Sequence, residues 1–231
     1  MSQFLLPLKP SIHVFLGDPG AGKSFALASM LYQYSQAKHF KFGICFTGSK
    51  FQQQFTYLPD QYVHDGYDEE KLKAHIENLR KKTDELKKQT GDPEALPPPN
   101  FVILDDCGST VNPSSWYRQW VFTYRHTNTS VFMLVQYLAD PRGAGTFLRK
   151  CTKFAYMWPT MDGNDLESMF HAFGGTFGSG KQGQDKFRKA LKKVMERDHA
   201  CLVFRRGHKT VKESYVDLLA PEFPKDFKLE Y

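Results

Sequence analysis

Residues 17–24 read Gly17-Asp18-Pro19-Gly20-Ala21-Gly22-Lys23-Ser24 and fit the pattern G-x-x-x-x-G-K-[ST]. In this phosphate-binding loop, or P-loop, glycines let backbone N–H groups turn inward around the phosphates of a nucleotide. We expect Lys23 to reach the β- and γ-phosphates and the Ser24 hydroxyl to coordinate Mg²⁺. An apolar, strand-like run, Ile12–Leu16, precedes the loop and a helix-like segment follows it, as the motif requires. The stretch therefore predicts a site for ATP and Mg²⁺.

Two acidic residues follow a second apolar segment further along the chain. Residues 101–104 read FVIL and are followed by Asp105 and Asp106. A P-loop enzyme needs a carboxylate at a strand end to organise magnesium and the attacking water. We assign Asp105 to the magnesium shell and Asp106 to the orientation of the lytic water. The alternative is an acid pair that only caps a turn.

Gln136 ends a third apolar segment, residues 130–136. At the carboxyl end of a strand it would point into the crevice where such sheets bind ligands, and there it could contact the γ-phosphate or the water. The alternative is a glutamine in a loop without a role. Arg125 precedes this segment and Arg142 follows it. Each is a candidate for the cation that a neighbouring subunit often supplies in phosphoryl transfer, and each is otherwise an ordinary surface arginine.

Strand-like and helix-like segments alternate along the chain, which predicts an α/β fold with a mostly parallel sheet covered on both faces. The predicted strands are 12–16, 40–47, 101–104, 130–136 and 153–158, and the predicted helices are 24–39, 68–89, 114–124, 162–173 and 185–197. Residues 175–184 are rich in glycine and predict a loop. Residues 200–204 and 210–216 predict a C-terminal β-hairpin. We expect one domain over 1–231, with its core at about 12–160 and a basic helix and hairpin at about 181–216.

Composition narrows the class of protein. The chain has 231 residues and a net charge of +6, and the basic excess is concentrated in residues 181–212. A basic face attracts nucleic acid through its phosphates, although lysines on a solvated helix face give the same pattern. No apolar run is long enough to span a membrane or to act as a secretory signal. The four cysteines are far apart, which favours isolated thiols in a reducing compartment over a zinc site near Cys201.

Four of these elements, in this order, resemble the FtsK–HerA superfamily of DNA-pumping ATPases. They are the P-loop, the segment FVILDD, the polar stretch that begins at Arg125, and the apolar strand that ends at Gln136. The likeness covers about residues 12–160. Within the superfamily the chain is most similar to the genome-packaging ATPases of poxvirus-type viruses, virophages and membrane-containing tailless phages.

This resemblance implies an ASCE-type sheet in which the strand ending at Gln136 lies between the P-loop strand and the Asp105 strand. It implies a ring-shaped homo-oligomer with double-stranded DNA in its channel, Arg125 as the preferred arginine finger and Gln136 as the sensor. It further implies contact with capsid or portal-vertex proteins, and a location in the virion or the host-cell cytoplasm. Residues 107–118, 141–150 and 181–209 are then the candidate DNA contacts. Asp106 stands where many members of the superfamily carry Glu.

Two other functions use the same P-loop. A nucleoside or nucleotide kinase would be expected to have an Arg-rich lid and an acceptor site, whereas the interval after the second strand holds a lysine-rich helix and three prolines. A nucleotide-gated DNA-binding scaffold would bind ATP with little turnover, because the Asp106 side chain is short. ATP hydrolysis measured with and without DNA separates these alternatives.

Overall fold

A central β-sheet organises the chain in the computed structural model, which describes residues 7, 9–48, 54–111, 114–136, 150–160, 163–194 and 196–229. Within those ranges the sheet has eight strands, in the order β3-β2-β4-β5-β1-β6-β7-β8. They are β1 (Ile12–Leu16), β2 (Phe42–Thr47), β3 (Val63–Asp65), β4 (Asn100–Asp105), β5 (Thr129–Val135), β6 (Phe154–Met157), β7 (Cys201–Arg205) and β8 (Tyr215–Leu218). Neighbouring strands are parallel to each other from β3 through β2, β4, β5 and β1 to β6. Strand β7 is antiparallel to both of its neighbours, β6 and β8.

Helices cover both faces of the sheet. They are α1 (Lys23–Gln36), α2 (Glu69–Thr90), α3 (Gly108–Val111), α4 (Ser115–Thr123), α5 (Gly163–Phe173), α6 (Gly180–Val194) and α7 (Val211–Ser214). Short 3₁₀ helices span Asp60–Tyr62, Tyr124–Thr127 and Gly174–Phe177. One apolar layer joins Val14 of β1 to α2, α4, α5 and α6, and the other joins Phe15 to α1. Because successive strand residues point to opposite faces, this alternation buries both sides of β1.

The predicted, mostly parallel sheet is confirmed, and so is the place of the strand that leads to Gln136. β5 pairs with β1 through the register Ile12↔Val131 and with β4 through Val102↔Val131, so β5 lies between them. This is the insertion that defines the ASCE arrangement. The carboxyl ends of parallel strands meet at one edge of the sheet, so the residues that follow β1, β4 and β5 lie close together.

Two local predictions were wrong, and one short strand was missed. Of the Gly-rich residues 175–184, which were predicted to form a loop, 175–177 end a 3₁₀ helix and 180–184 begin α6, so only 178–179 lie outside a helix. Gly183 is buried, and a Cβ there would overlap the Gly178 carbonyl, so these glycines serve close packing. The second hairpin strand begins at Tyr215, because Thr210 caps α7 by accepting a hydrogen bond from the Glu213 N–H. The short strand β3 was not predicted.

Candidate active site

The P-loop turns sharply at the carboxyl end of β1. The Gly17 N–H donates to the Val135 carbonyl at 3.3 Å, which ties the loop to β5. A Cβ at Gly17 would lie 2.7 Å from the Trp158 Cβ, so a larger residue does not fit. Gly20 and Gly22 have φ angles of +78° and +108°, in the left-handed region that favours glycine. Steric constraints therefore favour glycine at all three positions, two of which belong to the motif.

Lys23 is buried at the centre of this loop. Its Nζ donates to the Gly17 carbonyl at 2.7 Å and to the Asp18 carbonyl at 3.0 Å. Burial lowers the pKa of Lys23, while the nearby charges of Asp106, Asp105 and Asp18 oppose that shift. The Lys23 ammonium has lost most of its hydration and is bound only by backbone carbonyls. An anion can replace those carbonyls and would compensate the buried charge.

Ser24 lies in the first turn of α1, and its hydroxyl has a partner that sequence reasoning missed. The Ser24 Oγ donates to the Gln54 Oε1 at 2.9 Å. A second missed contact lies on the other side of the loop, where the Thr160 hydroxyl donates to the Asp18 Oδ1 at 3.2 Å. Neither Gln54 nor Thr160 belongs to a motif, so only the folded arrangement reveals these contacts.

Asp105 ends β4 and is 4% exposed. Its Oδ2 accepts a hydrogen bond of 2.7 Å from the Thr47 hydroxyl at the end of β2. Burial raises the pKa of Asp105 to about 6, the Asp106 charge adds to the rise, and the Thr47 bond and Lys23 oppose it. A buried carboxylate in this state gains from a bound cation.

The donor set around Asp105 fits Mg²⁺. Among the residues that the structure describes, no cluster of three or more His, Cys, Asp or Glu side chains could hold a metal by itself. Mg²⁺ is commonly bound by one or two carboxylates together with substrate phosphates and water. One carboxylate of Asp105 and one hydroxyl of Ser24, beside a phosphate-binding loop, match that requirement.

Asp106 and Gln136 are in direct contact. The Gln136 Nε2 donates to the Asp106 Oδ2 at 2.9 Å, and the Asp106 side chain is exposed. The Asp106 backbone has a φ of +52°, in the left-handed region, and its N–H donates to the Leu134 carbonyl at 3.1 Å. The backbone bond to β5 and the side-chain bond to Gln136 together fix the direction of the Asp106 carboxylate.

Arg125 lies far from this cluster. It belongs to the 3₁₀ helix that precedes β5, whereas Gln136 directly follows that strand. Seven residues of strand span roughly 20 Å at about 3.3 Å per residue. Arg125 is exposed, with its guanidinium carbon 5.9 Å from the centre of the Tyr124 ring. It therefore does not reach the nucleotide site of its own chain. Arg142 lies outside the described residues.

The basic C-terminal segment divides into two parts. The exposed face of α6 carries the basic side chains of Lys181, Lys186, Arg188, Lys189, Lys192 and Lys193. Arg205 and Arg206 instead support the fold, because Arg205 donates to the Glu213 carbonyl and the Arg206 Nε donates to the Thr152 carbonyl at 2.7 Å. Of the candidate DNA contacts, residues 112–113, 141–149 and 195 lie outside the described ranges.

Comparison with known proteins gives a family and a set of similar folds. The model of the family described as "Poxvirus A32 protein" matches residues 5–144, which is more than half of the chain. No curated protein sequence matches the chain.

Several solved structures are similar to this chain in fold. The genome packaging NTPase B204 of Sulfolobus turreted icosahedral virus 2, in complex with AMPPCP, superposes with a TM-score of 0.55 and 15% identity over 92% of this chain and 98% of that one. The pCW3 conjugation coupling protein TcpA with ATPγS superposes with a TM-score of 0.64 and 14% sequence identity, over 96% of this chain and 63% of that one. The cytoplasmic domain of the type VII secretion ATPase EccC of Thermomonospora curvata superposes with a TM-score of 0.59 and 12% sequence identity, over 94% of this chain and 26% of that one. At these identities the likeness shows the fold.

Proposed function

Because the chain belongs to the poxvirus A32 protein family, we propose that this P-loop ATPase is a DNA-translocating motor that packages a viral double-stranded DNA genome into a capsid. The chain also resembles FtsK–HerA-type ATPases. This resemblance is consistent with the family match and with the folds of TcpA and EccC. B204, which is similar in fold, is described as a genome packaging NTPase and was solved with an ATP analogue.

The observation that carries the proposal is the position of β5. Inserted between β1 and β4, it brings Gln136 to within hydrogen-bonding distance of Asp106, and its Val135 carbonyl accepts from the first P-loop glycine. A hydrolytic site needs a phosphate cradle, a water-orienting carboxylate and a polar group that senses the γ-phosphate. These three parts share one sheet edge.

Nucleotide binding in this proposal begins with Lys23. Its Nζ exchanges the carbonyls of Gly17 and Asp18 for oxygens of the β- and γ-phosphates, so a buried charge gains an anion without a rearrangement of the strand. The N–H groups at the start of α1 add the positive end of the helix to the same site.

Ser24 and Asp105 would hold Mg²⁺. When bound, the ion would supply positive charge against the charge that develops on the phosphates during hydrolysis. Ser24 donates its proton to Gln54 and so keeps its oxygen lone pairs for the ion, whereas Asp105 keeps its bond to Thr47 through Oδ2 and offers Oδ1.

Asp106 orients the attacking water and accepts its proton. Gln136 holds the carboxylate through Oδ2, which leaves Oδ1 for the water. The amide of Gln136 is also a group that the γ-phosphate can attract, so the departure of that phosphate changes the hydrogen bond to Asp106. Gln136 thus serves as the sensor of hydrolysis.

Arg125 completes the site of a neighbouring copy. An exposed arginine at the opposite sheet edge from its own P-loop is of use in phosphoryl transfer only if another subunit presents it. A closed ring of identical subunits, each offering Arg125 to the next, satisfies that geometry. Such a ring would surround DNA, with the exposed lysines of α6 among its phosphate contacts.

The decisive experiment measures ATP hydrolysis and movement on DNA with one preparation. We expect double-stranded DNA to raise turnover and the protein to displace a triplex-forming strand from DNA only when ATP is hydrolysed. Turnover raised by nucleosides and not by DNA would indicate a kinase. Tight ATP binding without turnover would indicate a scaffold. DNA-stimulated hydrolysis without strand displacement would reject translocation.

A further inference from the structure

The hydroxyl of Ser24 is held by a side chain from outside the P-loop, that of Gln54. The Ser24 Oγ donates to the Gln54 Oε1 at 2.9 Å. A hydroxyl has one proton and two lone pairs, so a hydroxyl whose proton is held by an acceptor presents lone pairs to its other side. A serine in a helix can otherwise donate to a carbonyl of the preceding turn. Gln54 therefore keeps the oxygen in the state that a metal ion requires.

Gln54 cannot hold this hydroxyl by its own packing, because its side chain is exposed. It begins residues 54–58, which we call the turn segment and which form neither a helix nor a strand. The Leu58 N–H donates to the Phe55 carbonyl at 2.9 Å, and both of these side chains are buried. A long exposed side chain has many rotamers, so it positions a partner only where the backbone that carries it is fixed.

A C-terminal strap, which we define as residues 221–229, packs on α1. The Ser29 Oγ donates to the Pro221 carbonyl at 2.6 Å, and the rings of Phe25 and Phe223 lie 5.2 Å apart. The strap lies beyond the residues that match the family model. One end of it is therefore fixed to the helix that follows the P-loop.

The other end of the strap binds the backbone of the turn segment. The Lys228 Nζ donates to the Thr56 carbonyl at 2.6 Å, and the Leu229 N–H donates to the Tyr57 carbonyl at 2.7 Å. The buried ring of Phe227 stacks on Tyr57 with the ring centres 5.7 Å apart. Three successive strap residues thus hold the turn segment just after its glutamine, while the same strap is fixed to α1.

We propose that Gln54 is a positioning residue for the magnesium-binding hydroxyl of Ser24, and that the C-terminal strap acts on the metal site through Gln54. The inference rests on the proposed ATPase function and adds to it, because it extends the metal site to two elements that supply no ligand. Loss of a group that orients a metal ligand typically lowers metal affinity about 10- to 100-fold. The strap keeps Ser24 and Gln54 at hydrogen-bonding distance by holding the elements that carry them.

Calorimetric titration with AMPPCP, in EDTA and in an excess of Mg²⁺, tests the proposal. The ratio of the two affinities, the magnesium enhancement, measures how much the ion strengthens nucleotide binding. Gln54→Leu removes the acceptor, whereas Gln54→Glu keeps an oxygen that accepts the Ser24 proton. Gln89→Leu is the matched control, since Gln89 is exposed on α2. Thermal melting verifies that each variant is folded.

We expect Gln54→Leu to reduce the magnesium enhancement about ten-fold or more and to change AMPPCP affinity in EDTA less than about two-fold. Gln54→Glu and Gln89→Leu should keep the enhancement of the unchanged protein. An enhancement that survives in Gln54→Leu overturns the inference, and so does an equal loss of affinity in EDTA and in Mg²⁺.

The strap is tested by Phe227→Ala, which removes the ring on Tyr57, and by Lys228→Met, which is exposed and spares the core. Each should reduce the enhancement about two- to ten-fold, the range that one hydrogen bond is worth. Removing a positive charge would by itself strengthen the binding of a cation, so a fall in Lys228→Met reports the lost contact. Lys225→Met removes the same charge from the same strap and should not lower the enhancement.

A double-mutant cycle shows whether the strap acts through Gln54. Added to Gln54→Leu, neither strap substitution should reduce the enhancement further. Additive effects, or a fall in Lys225→Met equal to that in Lys228→Met, overturn the role of the strap. If Mg²⁺ does not strengthen AMPPCP binding to the unchanged protein, the metal site of the proposed function is rejected together with this inference. The other failures leave the proposed function intact.

Discussion

Among single residues, the pair formed by Asp106 and Gln136 carries the proposed chemistry, and it can be tested without disturbing its geometry. In Asp106→Asn, the new side-chain oxygen still accepts from the Gln136 amide, so the 2.9 Å hydrogen bond survives while the negative charge is removed. We expect ATP binding to stay within about two-fold and turnover to fall by about 10²-fold or more, the usual contribution of a general base. Binding is measured by calorimetry and turnover by phosphate release.

Gln136→Leu is the companion variant, because it removes the hydrogen bond and keeps the carboxylate. It should slow turnover less than Asp106→Asn does. If Asp106→Asn hydrolyses ATP at a near-normal rate, Asp106 does not activate the water, and the assignment of roles within the acid pair is wrong.

The pKa of Asp105 predicts how magnesium dependence changes with pH. Burial raises this pKa from 3.8 to about 6, so the carboxylate is protonated below pH 6 and protons then compete with Mg²⁺. We expect the Mg²⁺ concentration for half-maximal turnover to rise as pH falls from 7.5 to 5.5, by up to about ten-fold per pH unit below the pKa. Steady-state assays over a magnesium and pH grid measure this dependence. Constant magnesium dependence across that range would show that Asp105 is not a ligand.

The same shift predicts a change in stability of the nucleotide-free protein. A raised pKa means that the folded state binds more protons than the unfolded state between about pH 4 and 6, so the free energy of unfolding falls as pH rises through that window. Asp105→Asn keeps an acceptor for Thr47 and removes the buried charge. We expect it to be more stable at pH 7.5 by about 1–3 kcal/mol, seen as a higher melting temperature. The difference should shrink as pH falls and disappear at about pH 2.5, more than one unit below the unfolded-state pKa of 3.8, where the carboxyl is neutral in both states.

The P-loop could be predicted from the sequence alone because the whole motif lies within eight contiguous residues. The acids after β4 and the glutamine after β5 were also predictable, since parallel strands deliver their carboxyl ends to one edge. The left-handed backbone of Asp106 and the contact between Ser24 and Gln54 were not. They depend on residues that are distant in the chain and have no characteristic spacing.

At the scale of elements, α6 separates an apolar face from a basic one. Phe187, Leu191 and Val194 are buried, while Lys186, Lys189 and Lys193 are exposed on the opposite side. Replacing these three lysines with glutamine should weaken binding to double-stranded DNA of any sequence. The slope of log K against log salt should fall by about 1 for each lysine–phosphate pair that the substitutions remove, and fluorescence anisotropy over a salt series measures it.

Helix α2 offers a matched control for this test. Arg80, Lys81 and Lys88 are exposed there among acidic neighbours, and replacing them with glutamine removes the same charge from another surface. An equal fall in affinity in both triple variants would mean that only net charge matters and that α6 does not bind DNA. The arginines of the hairpin are unsuitable for such a test, because their bonds to carbonyls hold β7 in place.

Helix α6 also shows where sequence patterns fail for whole elements. Its first turns are rich in glycine, and composition alone predicted a loop. In the fold, Gly183 approaches the Gly178 backbone, and the rings of Phe177 and Phe187 lie 5.5 Å apart, so tertiary packing overrides the low helix propensity. The strongly amphipathic helix α2 was predicted almost to the residue, because its periodicity and the cap at Asp68 are local signals.

For the whole molecule, the position of Arg125 predicts that activity requires more than one subunit. Arg125→Ala should bind ATP normally and lose turnover by about three to five orders of magnitude, as removal of an arginine finger does. Lys23→Ala should fail to bind ATP. When the two inactive variants are mixed, some junctions pair an intact P-loop with an intact Arg125, and activity should reappear above the sum of the two.

The mixing experiment needs proof that the variants assemble together, which differently tagged proteins and co-purification provide. Mixed assemblies without recovered activity would contradict a role for Arg125 in trans. Collapse of turnover in Arg142→Ala, with Arg125→Ala unaffected, would transfer the role to the arginine after β5.

The two edge strands of the sheet limit how copies of this chain can associate. Among the residues that the structure describes, the sheet ends on one side with β3, which has three residues, and on the other with β8, which has four. Short borders expose few unpaired N–H and C=O groups, and Asp65 and Asp217 place charges on them. Strand addition, the route by which sheets continue from one molecule into the next, is thereby disfavoured at both borders. Contacts between copies then depend on side chains of helices and loops. Such contacts can separate and re-form without breaking backbone hydrogen bonds between strands.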